Sequence, residues 1–215
     1  MENRLLRTYA TFSEDVLYTA SDLLLNKGGE AIITSHIRDI FLRYNAYKIY
    51  GVALLHKHFA ILPTQRLVDI RNVSLPWELG SDTSLELRKY DSRITPRSLR
   101  FLGEYVQLYE FDFSTRESPI TVDDGFLRHL SEFLYEHGLE NILGLKLLEL
   151  RDPEVSVEVT EGISNIMLPR GAVDDNQLIL AMWVFGKDED DRCNCREYCY
   201  TDANKKHTGS NHGCG

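Results

Sequence analysis

Apolar residues recur with the spacing of a helix in three stretches of the chain. The first covers residues 12–26, and the second runs from about residue 30 or 34 to residue 44. The third starts at Asp123 or Asp124, either of which can cap a helix, and ends at Gly138. Each stretch predicts a helix with one face packed against a core.

Continuous or alternating apolar patterns predict strands elsewhere. Residues 47–61 are apolar on both faces, which is typical of a central strand, and we expect them to form a hairpin with residues 66–73 across Pro63. The other predicted strands are residues 85–90, 98–102, 104–113, 141–150, 154–160, 163–168 and 178–185. This order of elements favours an α+β fold, with a largely antiparallel mixed sheet packed against about three helices.

Composition agrees with a globular protein of one main domain. The chain has 215 residues, of which 43% are hydrophobic and 27% are charged. We therefore expect a single α+β domain over residues 1–186, followed by an acidic linker and a Cys/His-rich tail over residues 187–215. The first residues include no apolar run of signal-peptide length, which predicts a soluble protein of the cytoplasm or nucleus.

Net charge limits the classes of partner. The formal charge of -9 opposes the phosphate backbone of nucleic acids, so we do not expect nucleic-acid binding. No apolar window reaches the length needed to span a membrane, so no membrane partner is expected. An unidentified protein or a small molecule remains as the expected partner.

The tail concentrates side chains that bind transition metals. It contains all 4 cysteines of the chain and two of its 7 histidines, whereas structural cysteines usually scatter through a core. The candidate ligands are Cys193, Cys195, Cys199, His207, His212 and Cys214. Thiolates and imidazoles at short spacing favour zinc, which would serve structure or the docking of a partner.

Energetics leave two other interpretations of the tail open. Ordering about 22 residues costs on the order of 1–2 kcal/mol each, whereas a structural zinc contributes about 10–16 kcal/mol in small peptides. The ion alone does not order the whole segment. A flexible tail with exposed thiols, or disulfide pairing among the cysteines, would also account for the composition.

A second hypothesis is a metalloenzyme centred on His56 and His58. Two positions apart on a strand, their imidazoles leave the same face. Glu110 and Asp112 share one face of another predicted strand, and either of them or a tail residue would complete a site with two histidines and a carboxylate. The simpler interpretation is that these histidines end a strand and face solvent.

A third hypothesis is a small-molecule pocket lined by some of the 11 tyrosines, with the tail as its lid. No nucleophile elbow, phosphate-binding loop or dinucleotide-binding motif occurs in the chain, so the common hydrolase, kinase and dehydrogenase functions have no support. These residues place the protein in no family.

Overall fold

The computed structural model describes residues 17–62, 64–78, 94–103, 105–113, 123–148, 155–187 and 193–200. Ten strands formed by these residues close into a barrel. They are β1 (Tyr50–Leu54), β2 (Gln65–Ile70), β3 (Val73–Glu78), β4 (Ile94–Leu102), β5 (Tyr105–Phe113), β6 (Leu143–Leu147), β7 (Ser156–Glu161), β8 (Ser164–Pro169), β9 (Leu178–Val184) and β10 (Asn194–Tyr200).

The order of strands around the barrel is β1-β6-β4-β5-β2-β3-β8-β7-β10-β9, and β9 pairs with β1 to close it. Neighbours are antiparallel except for two parallel pairs, β2 with β5 and β7 with β10. The predicted sheet packed on helices, and with it the α+β class, is therefore wrong. The alternation of polar and apolar residues indicates which side chains share a face of a strand, but it does not indicate which strands pair. The pairs that close the barrel, such as β1 with β9, join strands that are distant in sequence.

The predicted first hairpin is also wrong. Only Tyr50–Leu54 of residues 47–61 forms a strand, which pairs with β6 and β9, whereas β2 pairs with β3 and β5. The chain leaves the barrel wall after Leu54, so the apolar residues that follow pack as a loop. Predicted strand 85–90 lies outside the described residues.

Helical segments are short. They are α1 (Leu17–Asn26), α2 (Gly29–Ile32), a π-helical turn (Ile33–Ile37), α3 (Arg38–Arg43), α4 (Asp124–Glu136) and two 3-10 turns (Ala46–Lys48 and Asp175–Gln177). The cap predicted for α4 is confirmed, because the Asp123 side chain accepts a hydrogen bond from the Phe126 backbone N–H at 3.0 Å. Among the described residues, no helix has the length and apolar character needed to cross a membrane.

The main apolar core lies between the helices and the outer surface of the barrel. It combines residues of α1, α3 and α4 with alternate residues of β1 and with four residues of β9, namely Ile179, Leu180, Ala181 and Trp183. Phe41 of α3 contacts Phe126 of α4 edge-to-face at 5.1 Å between ring centroids and Phe185 at 4.9 Å. This face of the barrel is thus buried from outside.

The barrel interior, in contrast, contains buried charged residues. Lys146 of β6 contacts both carboxylate oxygens of Glu197 of β10, at 2.6 Å and 2.8 Å, although β6 and β10 are not neighbouring strands. Arg97 of β4 likewise forms an ion pair with Asp69 of β2 across β5. Such contacts cross the interior, so the inner faces of these strands carry paired charges.

Strand directions define two ends of the barrel. Strands β1, β7 and β10 run the same way, because β7 and β10 are parallel and both β1 and β10 are antiparallel to β9. We call the end at which these three strands finish the upper end, and the end at which they begin the lower end.

Candidate metal centre

Two histidines enter from the upper end of the barrel, on the segment that follows β1. The backbone N–H of Leu55 donates to Ile142 at 2.8 Å, and the Leu55 side chain packs against Leu67 and Tyr109, with Phe59 against the same cluster. These apolar contacts fix the segment over residues 55–62. They leave His56 and His58 with ring centroids 4.4 Å apart.

Two further side chains come from the parallel pair of strands. Glu158 of β7 and Cys199 of β10 are direct partners in the parallel register, so their side chains leave the same face of the sheet. Both are buried, at 6% and 1% exposure.

These four side chains, His56, His58, Glu158 and Cys199, form what we call the candidate metal group. One ligand atom from each lies within 4.8 Å of the others. The sulfur of Cys199 is 3.3 Å from His56 Nε2 and 3.7 Å from Glu158 Oε2, and His58 Nε2 is 3.2 Å from Glu158 Oε2. Tetrahedral zinc with ordinary bond lengths separates its ligand atoms by about 3.3–3.8 Å. The four side chains can therefore hold a metal ion.

Hydrogen bonds at the far side of each imidazole orient it toward this group. The Nδ1–H of His56 donates to the carbonyl of Leu54 at 2.8 Å. His58 Nδ1 contacts Thr160 Oγ1 at 2.9 Å, and the Thr160 hydroxyl donates to Asn165 Oδ1 at 2.9 Å, so His58 Nδ1–H is the donor. Both Nε2 atoms then face the group. In metal-bound histidines, a hydrogen bond from the ring nitrogen that does not bind the metal orients the imidazole in the same way.

Burial and charge set the proton positions in the absence of metal. Burial, and then the charge of His58, lower the pKa of His56 from 6.5 to about 3, so this imidazole is neutral near pH 7. Burial alone would lower the pKa of His58, but the contact with Glu158 outweighs it and raises that pKa.

The pKa values of the two acidic side chains in the group, Glu158 and Cys199, are shifted in opposite directions. Burial disfavours the charged form of Glu158, yet His58, then Lys146 and His56, outweigh it and lower the pKa of Glu158 well below its usual range. Burial, followed by the carboxylates of Glu158 and Glu197, raises the pKa of Cys199 well above its usual range. The metal-free group thus contains a thiol next to an imidazolium–carboxylate pair.

Three residues predicted from the sequence meet in this group, namely His56, His58 and Cys199. They come from two separate hypotheses, the histidine strand and the cysteine tail. Residues 194–200 of that tail form β10, one strand of the barrel. The pairing of β10 with β7 brings Cys199 close to the histidines.

The other predicted ligands that the structure describes are not members of this group. Glu110 accepts a hydrogen bond from Ser98 at 2.5 Å and contributes to the raised pKa of His58, but it is not a member of the candidate metal group. Asp112 is not a member either, and its backbone carbonyl accepts a hydrogen bond from Thr95 at 3.5 Å. Cys193 and Cys195 are half-buried against the main apolar core. His207, His212 and Cys214 lie outside the described residues.

Glu158 was missed from the sequence. Its strand alternates valines with polar residues, which predicts a half-exposed strand with Glu158 in solvent, whereas the polar face of β7 lines the barrel interior. No local signal identifies its partner strand.

Comparison with known proteins adds no identification, since no protein-family model, curated protein or solved structure matches the chain.

Proposed function

We propose that this protein is a zinc-binding barrel in which the metal is held by His56, His58, Glu158 and Cys199. The observation that carries the proposal is the convergence of one ligand atom from each of the four side chains within 4.8 Å, with three separations of 3.2, 3.3 and 3.7 Å that are close to the edges of a tetrahedral zinc site. A site with two nitrogens, one sulfur and one oxygen suits zinc better than magnesium or calcium, which prefer oxygen ligands.

Contacts around His58 also support a cation at this position. Because Nδ1 carries the proton that bonds Thr160, a neutral His58 would direct the lone pair of Nε2 at the Glu158 carboxylate 3.2 Å away. Two electron-rich atoms at that distance require a cation between them, either a proton or a metal ion.

The metal would have a structural role. Four protein ligands complete a tetrahedron and leave no position for substrate, which is typical of structural zinc. The ligands come from the 55–62 segment, β7 and β10, and His56 and Cys199 are 143 residues apart in sequence. A bond between such distant parts fastens the loop at the upper end to the barrel wall.

Zinc content of purified variants tests the proposal. The full chain, produced in zinc-supplemented medium and dialysed, should contain about one zinc per chain by elemental analysis and by native mass spectrometry. Cys199→Ser should lose the zinc. The matched control is Cys195→Ser, which changes the same atom four positions earlier on β10, outside the group, and should keep the zinc.

A chain that ends at Tyr200 separates this site from one built in the tail. It lacks His207, His212 and Cys214 but keeps all four proposed ligands, so it should retain zinc. Zinc that persists in Cys199→Ser and disappears on truncation would support the tail site and refute the proposal.

A catalytic zinc is the second candidate, favoured by the position of Glu158 within reach of both His58 and Cys199. In that arrangement His56, His58 and Cys199 hold the ion, water takes the fourth position and Glu158 acts as a general base. Glu158→Gln would then retain zinc, whereas in the structural site it weakens zinc binding.

A further inference from the structure

A cavity of about 230 Å³ opens at the lower end of the barrel. The turn between β2 and β3, the end of β6 and the start of β7 contribute to its wall, and none of the four members of the candidate metal group lines it. None of its described lining residues is a tyrosine, so it differs from the predicted tyrosine-lined pocket. Its size suits a molecule smaller than those of typical drug-binding pockets, which occupy about 300–1,000 Å³.

Positive side chains dominate this cavity. Arg71, Arg97, Lys146 and Arg196 line it, whereas Glu197 is the one carboxylate among its described lining residues. The lining is therefore locally positive in a chain whose net charge is -9.

Two of these cations are already neutralised. Lys146 contacts Glu197 at 2.6 Å and 2.8 Å, and Arg97 pairs with Asp69. Arg71 and Arg196 form no ion pair with any carboxylate in the described part of the chain. Arg71 is exposed on the turn after β2, and Arg196 is half-buried where a bulge interrupts the pairing of β10 with β9.

Apolar atoms complete the wall. Met167, Leu168 and Met182 lie along it, so the cavity offers an apolar surface beside the two guanidinium groups. Guanidinium binds carboxylate and phosphate groups through paired N–H donors, and a short apolar body would pack on the methionine and leucine side chains.

We propose that this cavity binds a small organic anion, a carboxylate or phosphate group on a short apolar body, held by Arg71 and Arg196. The site does not depend on the metal, because the two sets of residues are distinct.

Compounds that share one body and differ in the head group test this site on the full chain. Butyrate and butyl phosphate carry the proposed groups, and butylamine and butanol are the cationic and neutral controls. Titrations followed by ligand-observed NMR should show that at least one anion binds, that its affinity falls as salt rises, and that both controls bind at least about tenfold more weakly. The stronger of the two anions identifies the head group.

Arginine variants locate the binding. Arg71→Gln and Arg196→Gln should each lower the affinity for the anion about tenfold, because each substitution removes one charge-assisted contact. The matched control is Arg128→Gln, an exposed arginine of α4, which should leave the affinity unchanged. The free energy of unfolding of both cavity variants, measured alongside in urea, reports whether the barrel is intact.

Three results would overturn the anion site: neither anion binds better than butanol, butylamine binds as well as the anions, or the two cavity variants bind like the control. None of them affects the metal proposal, which fails only through zinc content.

Discussion

One buried side chain, His56, should contribute a loss of stability to the metal-free protein in mild acid. Its imidazole is 8% exposed, and Nδ1–H donates to the carbonyl of Leu54. Burial and the charge of His58 lower its pKa from 6.5 to about 3 in the folded state. As pH falls below 6.5, the unfolded chain therefore gains a proton at His56 that the folded chain does not bind, and the free energy of unfolding decreases.

The size of this effect follows from the pKa difference. Each unit corresponds to about 1.4 kcal/mol, so the full difference is worth about 5 kcal/mol at the acid limit. Between about pH 7 and about pH 5 the loss is about 2 kcal/mol, a measurable part of a total stability of about 5–15 kcal/mol.

Two neighbours change the pH dependence in known directions. The lowered pKa of Glu158 adds stability that is also lost as pH falls through its folded value. The raised pKa of His58 acts in the opposite direction, since its contribution is complete below the unfolded pKa and is lost as pH rises through the folded one. The pH dependence of the free energy of unfolding of the wild type combines the contributions of all three groups. The contribution of His56 therefore has to be isolated by substitution.

His56→Asn isolates it, because the asparagine side chain places an N–H donor near the position of Nδ1 and does not titrate. Urea unfolding of chelator-treated protein gives the change in the free energy of unfolding from about pH 7 to about pH 5. That change should be more favourable by about 2 kcal/mol in His56→Asn than in the wild type. The control is His36→Asn, at an exposed histidine, and should follow the wild type. If His56→Asn and the wild type lose stability equally, His56 is not the buried neutral imidazole described above.

Two further predictions concern the surroundings of the metal group. Lys146→Met should destabilise the protein by about 3–5 kcal/mol in urea unfolding, because it leaves the charged Glu197 buried without a partner. The double variant with Glu197→Leu should regain most of that loss. If the losses of the two single variants simply add in the double variant, the two residues are not paired. Asn165→Ala should weaken zinc binding about 10- to 100-fold in competition with a chromophoric chelator, because Thr160 loses the acceptor that orients it toward His58. Ser164→Ala, at a half-buried neighbour outside the metal group, should leave zinc binding unchanged, and equal affinities of Asn165→Ala and the wild type would exclude this orienting role.

Local features of the fold could be predicted from the sequence. The cap at Asp123 and the helix after it depend on residues within a few positions, and both are confirmed. The predicted strands 154–160 and 163–168 also depend on local pattern, and they form the hairpin of β7 and β8, which turns at Gly162 with φ of 62°. Closure into a barrel could not be predicted, because it depends on pairs such as β7 with β10, and nothing near Glu158 specifies Cys199 as its partner.

Polarity also fails to identify the interior. The alternation over residues 154–160 is typical of a half-exposed strand, a pattern that holds when the buried face of a sheet is apolar. Here Trp183 of β9 joins the core under the helices, whereas the carboxylates of Glu158 on β7 and Glu197 on β10 are buried and face inward. Spacing therefore selected His56 and His58, and clustering selected Cys199, but neither signal included Glu158.

Charge balance explains how a buried site can exist both with and without metal. Without metal, the imidazolium of His58 neutralises Glu158, and His56 and the Cys199 thiol are uncharged. With zinc, two neutral imidazoles, one carboxylate and one thiolate neutralise the dication. Two protons leave as the ion enters, so the net charge inside the barrel does not change. Because the exchange adds no unpaired charge to the interior, the Lys146–Glu197 pair beside the group stays balanced in both states.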